Sequence, residues 1–161
     1  MDIAPHNPIR LDDFWGYQIA VLADRVSRYT LDIVKSEAGL NQSQWRVLAA
    51  IADEPGRTSA DVTAVTPMDK TLVSRAVATL LRSGLIKRTP NVNDKRSAAL
   101  EMTALGAERY ALISGKLSKT LNASVIDGQS TEAFNDAVKH FTAYMTQLTE
   151  NPNFKSQSLK K

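Results

Sequence analysis

A mainly α-helical chain with one small β-hairpin, an α+β fold, is what this sequence predicts. Three observations carry the prediction. Apolar residues recur at heptad spacing near both ends, the segments between them open on helix caps and close on glycine or proline, and the one stretch with strand character is split by a turn-rich tip.

From Asp12 to Lys35 the positions Trp15, Ile19, Leu22, Val26, Tyr29 and Ile33 are spaced 4, 3, 4, 3 and 4, a heptad seam on a helix. Asp12 is expected to cap its start and Gly39 to end it. Asn41 with Gln44 has capping-box spacing and opens a helix through Trp45, Leu48 and Ile51, broken by Asp53-Glu54-Pro55-Gly56. Thr58 with Asp61 repeats that spacing before a short helix that stops at Thr66-Pro67, because the residue before proline disfavours helical angles. Asp69 caps a third helix, closed after Ser83 by Gly84. Leu85–Thr89 and Ala98–Met102 flank the polar stretch Pro90–Ser97 and read as a hairpin. Thr103 restarts helix to about Val125, and Asp127-Gly128 turns the chain into a last helix. There Phe134, Val138, Phe141, Met145 and Leu148 form a second seam, ended by Asn151-Pro152. Each seam seeks a helical partner, which is either a second copy of the chain or the chain's own middle.

Composition narrows the function. The 161 residues include no cysteine, which excludes a disulfide scaffold, a thiolate zinc site, an iron–sulfur cluster and a cysteine redox sensor. His6 and His140 are the only histidines and read as solvated residues, so no metal site or cofactor is expected. No nucleophile elbow or phosphate-cradling glycine loop is present, and the expectation is a protein that is not an enzyme. With no basic, apolar leader and no long apolar run, a soluble cytoplasmic protein without a membrane partner is expected.

The net charge of +3 is unevenly placed. Residues 1–56 carry five basic and eight acidic side chains, residues 57–102 eight and four, and residues 103–161 seven and five. An anionic partner would therefore meet the middle third. On a helical wheel the helix after Asp69 turns Val73, Ala76, Val77 and Leu80 to one side, and Thr71, Ser74, Arg75, Ala78 and Arg82 to the other. Small residues, hydroxyls and arginine suit close approach to base edges in a major groove about 12 Å wide. A solvated amphipathic helix has the same pattern. Short helix, turn, longer helix and basic hairpin together outline a winged helix-turn-helix, in which the second helix enters the major groove and the hairpin tip reaches minor groove or backbone. At that tip Asp94 is positioned to orient Arg96, or to make only a local turn hydrogen bond.

The order of these pieces resembles the multiple antibiotic resistance regulator (MarR) family of winged-helix transcription factors. The resemblance runs from about Trp15 to Tyr110. It rests on Gly39-Leu40, Gln44-Trp45-Arg46-Val47-Leu48, Asp69-Lys70-Thr71-Leu72-Val73-Ser74-Arg75, Leu80 to Arg88, Asp94-Lys95-Arg96 and Leu100 to Gly106. Leu81 departs from it, since many relatives carry an acidic residue there. The resemblance implies a homodimer, built on N- and C-terminal helices, that binds a pseudo-palindromic operator as a regulator, expected to be a repressor. It places Lys70, Thr71, Ser74 and Arg75 on the reading face, Thr58 and Ser59 near the DNA backbone, Arg96 in the minor groove with Asp94 as its buttress, and Arg88 and Lys95 on phosphates.

The implied organisation is a dimerisation helix in residues 1–40, a DNA-binding domain in 41–102, dimerisation helices in 103–150 and a tail in 151–161. Trp15, Ile19, Leu22, Val26, Phe134, Val138, Phe141, Met145 and Leu148 would form the dimer seams. Many relatives are released from DNA by small phenolic or aromatic acids. Trp15, Tyr17, Trp45, Arg46 and Met68 are the candidate linings, with Arg46 able to pair a carboxylate. Seam, core or turn roles for these residues remain open, as does a winged helix used for protein–protein assembly without DNA.

Overall fold

The computed structural model describes residues 9–90, 98–121 and 130–150. The chain forms two compact units, residues 1–117 and 118–161. Among the described residues the element order is α1 (Trp15–Ala38), α2 (Gln42–Asp53), α3 (Ser59–Val65), α4 (Lys70–Arg82), β1 (Ile86–Pro90), β2 (Ala98–Met102), α5 (Ala104–Leu121) and α6 (Thr131–Glu150).

Most helix ends are set by the residues expected to set them. At α2 the Asn41 side chain accepts from Gln44 N, and the Gln44 side chain accepts from Asn41 N, both at 2.9 Å. At α3 the Thr58 hydroxyl accepts from Asp61 N at 3.2 Å, and the Asp61 carboxylate accepts from Thr58 N at 2.8 Å. Asp69 accepts from Leu72 N at 2.8 Å and starts α4. Gly39 and Gly84 take left-handed φ values of +64° and +68° after α1 and α4, a region open to glycine. The expected cap at Asp12 is not used. Residues 10–14 turn instead, with Asp13 N bonded to Arg10 O at 3.1 Å and Phe14 N to Leu11 O at 3.3 Å, so α1 begins behind Phe14 without a side-chain cap.

The first unit is built around one apolar cluster. Val34 of α1, Val47, Leu48 and Ile51 of α2, Val62 of α3, Val73, Val77 and Leu80 of α4, Leu100 of β2 and Ile113 of α5 are buried together. Burial of each such side chain contributes about 1.5–3 kcal/mol. The four α4 residues expected to face inward, Val73, Ala76, Val77 and Leu80, all do so. Leu81 is half-buried against the same cluster, so an apolar residue at that position extends the core.

β1 and β2 pair antiparallel, with Ile86 opposite Met102 and Arg88 opposite Leu100. Two further links anchor the hairpin. Gly56 N donates to Leu100 O at 3.2 Å and Leu100 N to Arg57 O at 2.9 Å, joining the α2–α3 loop to β2. Thr103 N donates to Leu85 O at 3.1 Å, while its hydroxyl donates to Gly84 O at 2.6 Å and accepts from Gly106 N at 3.1 Å. At Gly106 an added Cβ would lie 1.9 Å from Leu85 O. Only a residue without a side chain permits that approach.

α1 has two environments. Ile33, Val34 and Ala38 pack into the core, whereas Trp15, Ile19, Leu22, Val26 and Tyr29 are exposed within the single chain. Its end is tied to α5 by Arg109, which donates to Glu37 O at 3.2 Å, and by a Lys116–Glu37 ion pair at 2.5 Å. In the second unit, α6 opens with Ser130 accepting from Ala133 N at 3.1 Å and exposes Phe134, Val138, Phe141, Tyr144 and Met145. Leu148 is half-buried. Among the described residues no helix is long and apolar enough to cross a membrane.

Two glycines of α5 test the packing at its start. Gly106→Ala should destabilise the protein by about 1–3 kcal/mol or more, because backbone must shift. Gly115→Ala, where nothing lies within 4 Å, should instead stabilise it by roughly 0.5–1 kcal/mol. Urea midpoints at unchanged slope measure both; equal midpoints for the two variants would refute the close approach.

Candidate nucleic-acid interface

The exposed side of α4 is polar, basic and small. Lys70, Thr71, Ser74, Arg75, Ala78 and Arg82 are all exposed, and Thr79 between them is half-buried. No described residue forms an ion pair with Lys70, Arg75 or Arg88. Arg82 is steadied by a 3.1 Å hydrogen bond to the Thr79 hydroxyl. Arg88 lies on β1, exposed and opposite Leu100, so the first strand carries a cation on the frame that holds α4. Asp94, Lys95 and Arg96 lie outside the described residues.

Thr58 and Ser59 are half-buried at the start of α3. The Thr58 hydroxyl is engaged by its own helix: it donates to the Asp61 carboxylate at 2.8 Å while accepting Asp61 N. Hydrogen bonds from the Thr58 backbone and then its side chain hold the Asp61 carboxyl below its ordinary value. On β2 the Glu101 carboxyl is likewise lowered, first by Lys87, 3.1 Å away, and then by the Thr89 hydroxyl.

Arg57 is a basic residue that the pattern of motifs did not single out. Only 12% of its side chain is exposed, and it bonds Ala50 O at 2.6 Å, Asp53 at 2.9 Å and Glu54 at 3.1 Å. Its carriage of two carboxylates and a carbonyl makes it a strut between α2 and the hairpin base. Acidic residues four and three positions before it were the available signal. Leu72 was also passed over; it is 41% exposed in the first turn of α4.

The five candidate effector-lining residues are not gathered into one cavity. Met68 is buried in the core, and the Trp45 ring stacks on Tyr110 with centroids 5.5 Å apart. Trp15 and Tyr17 are exposed on the first turn of α1. Arg46 lines an open cavity of about 300 Å³ with Ala49, Ala50, Asp53, Arg57, Val65, Thr66 and Pro67. Among the described residues no group of three or more histidines, cysteines, aspartates and glutamates could hold a metal ion.

Residues 38–97, from the end of α1 through α4 and β1 to the residue before β2, match the model of the MarR family. The match covers 60 of the 161 residues. The likeness of fold extends beyond the matched span. A MarR/EmrR family transcriptional regulator from Acinetobacter sp. ADP1 is similar at 21% identity, with a TM-score of 0.72 over 86% of this chain and 99% of that one. A mutant MarR from E. coli, complexed with operator DNA, is similar at 19% identity and a TM-score of 0.65 over 80% and 91%. CouR from Rhodococcus jostii RHA1, bound to p-coumaroyl-CoA, is similar at 18% identity and 0.66 over 90% and 97%. No curated protein matches the sequence.

The cap of α3 gives an acid-side test within the matched segment. Asp61 titrates lower folded than unfolded, so the stability it contributes is present above the ordinary carboxylate range and lost as pH falls through the lowered value. Asp61→Asn should shallow the loss of stability below about pH 4, and Thr58→Ala should cost about 1 kcal/mol at neutral pH. Denaturation midpoints across pH 2–7 (approximately) measure both; an unaltered acid slope in Asp61→Asn would remove this linkage.

Proposed function

We propose that this chain is a DNA-binding transcriptional regulator that works as a homodimer. It represses from a pseudo-palindromic operator in the cytoplasm and is released by a small aromatic or phenolic ligand. The observation that carries this reading is the outward face of α4, where exposed hydroxyls and cations that pair with no described carboxylate stand on a helix whose opposite side is locked into the core. Arginine on such a face can donate a bidentate pair to guanine, and hydroxyls can bond bases or phosphates. Lys70, Thr71, Ser74 and Arg75 would read bases, Thr58, Ser59, Arg88 and Lys95 would meet the backbone, and Arg96, oriented by Asp94, would enter the minor groove. Operator DNA on the similar E. coli protein supports the same use of the fold.

The homodimer draws support from the apolar residues left exposed at heptad spacing. Trp15, Ile19, Leu22 and Val26 on α1, and Phe134, Val138, Phe141 and Met145 on α6, are from 38% to 50% exposed. Leu148 would join that seam. A second copy supplies the partner that such a stripe requires. In this organisation residues 41–102 bind DNA, residues 1–40 and 103–150 dimerise, and residues 151–161 form a tail. The p-coumaroyl-CoA on CouR supports an aromatic effector, for which the Arg46 guanidinium offers a carboxylate partner.

The decisive experiment titrates the full chain against duplex DNA from its own upstream region at two salt concentrations, with and without a panel of aromatic acids. Binding should weaken with salt at a slope of about −0.9 per neutralised phosphate. Arg75→Ala and Arg96→Ala should each weaken it by about 1–3 kcal/mol. Indifference to duplex at low salt would overturn the regulator reading. For the dimer, Leu22→Asp with Val26→Asp should yield monomers in sedimentation, since charge would enter an apolar seam; a persisting dimer would show that α1 is not its interface.

A further inference from the structure

Leu72 stands apart from the other exposed large hydrophobics. Most of those on α1 and α6 belong to heptad stripes, whereas Leu72 is the one such residue on α4, 41% exposed between Thr71 and the buried Val73. It lies three positions before Arg75, so the two side chains are neighbours on the helix surface. Its backbone is pinned: Leu72 N donates to the Asp69 cap at 2.8 Å, which fixes the first turn and the direction in which the side chain leaves it. The core does not need this leucine, because Val73, Ala76, Val77 and Leu80 already fill the inward side of α4.

We propose that Leu72 is a specificity-determining residue that recognises the C5-methyl group of a thymine in the major groove, within about one or two base steps of the guanine met by Arg75. This rests on the DNA-binding reading above. A leucine side chain neither donates nor accepts hydrogen bonds, and the thymine methyl is the apolar group that a base pair displays in the major groove. Contact removes water from both surfaces, so an otherwise unfavourable exposed side chain becomes a source of sequence preference. The small neighbours Thr71 and Ser74 leave room for the helix to approach closely enough for that contact.

Deoxyuridine tests this, since it differs from thymidine at the base only by lacking the methyl and keeps every Watson–Crick hydrogen bond. Duplexes bound by the full chain are selected from a random-sequence pool, and their thymines are replaced one at a time. One thymine per half-site should cost about fourfold in affinity on replacement, the worth of one buried methyl. In Leu72→Ala, with unchanged circular dichroism, that cost should vanish while the costs at other positions remain. If no thymine replacement weakens binding by the wild-type chain, or if the same replacement costs as much in Leu72→Ala, the role of Leu72 is overturned and DNA binding stands. If the pool yields no bound duplex at low salt, the reading beneath it falls as well. The wild-type scan decides the matter even where the variant does not fold.

Discussion

The start of α5 is fastened to the end of α4 through the carbonyls of Gly84 and Leu85, which accept the Thr103 hydroxyl and amide at 2.6 and 3.1 Å. β1 leaves from this joint and β2 returns to it, so the hairpin cannot swing independently of α4. Gly56 and Arg57 add a second fixing by pairing with both backbone groups of Leu100. The groove spacing of a duplex is periodic, so a helix and a hairpin can engage it together only if their separation is set beforehand. Backbone hydrogen bonds at Leu85 and Leu100 set it here, and the close approach at Gly106 removes the slack that a side chain would introduce.

Local chemistry was legible in the sequence and non-local pairing was not. The caps at Asn41, Thr58 and Asp69, and the left-handed glycines 39 and 84, involve residues within a few positions of one another. Periodicity likewise fixed which side of α4 is buried. The hydrogen bonds from residues 56 and 57 to Leu100 span more than forty positions and leave no local pattern. Asp12 misled because it lies inside two overlapping turns, Arg10–Asp13 and Leu11–Phe14, that delay the start of the helix to Trp15. Of the candidate site, the exposed face of α4 was readable from the wheel, whereas an effector cavity was not, because its proposed walls come from separate layers: Met68 in the core, Trp45 against Tyr110, and Trp15 on an exposed turn.

α1 joins two tasks in one rigid element. Its first four turns carry the exposed seam, and its last turns enter the core through Ile33, Val34 and Ala38. Glu37 links that end to α5 by its backbone carbonyl and by its carboxylate, which Lys116 holds below the ordinary range. If the proposed homodimer forms through this seam, a change in how the second copy meets it would tilt α1 and carry the α2–α4 core with it, since close-packed interiors shift as units. In the proposed dimer, an effector would need only a preference for one such arrangement to alter the spacing of two reading heads.

The arginines divide by what surrounds them, and this division decides which can meet phosphate. Arg57 is largely buried and already satisfied by Asp53, Glu54 and Ala50, so presenting it to DNA would break those bonds and leave carboxylates facing a polyanion. Lys87 is held by Glu101. The positive balance of residues 57–102 therefore overstates the charge available to a partner. What remains among the described residues is Lys70, Arg75, Arg82 and Arg88, which are exposed and form no ion pair with a described carboxylate; exposed cations of this kind hold counterions in solution. Release of those counterions on phosphate contact is the favourable term that distinguishes a DNA surface from an ordinary charged one. Among the described residues of 57–102 these cations stand on α4 and β1, the two elements that the Gly84–Leu85 joint holds in register.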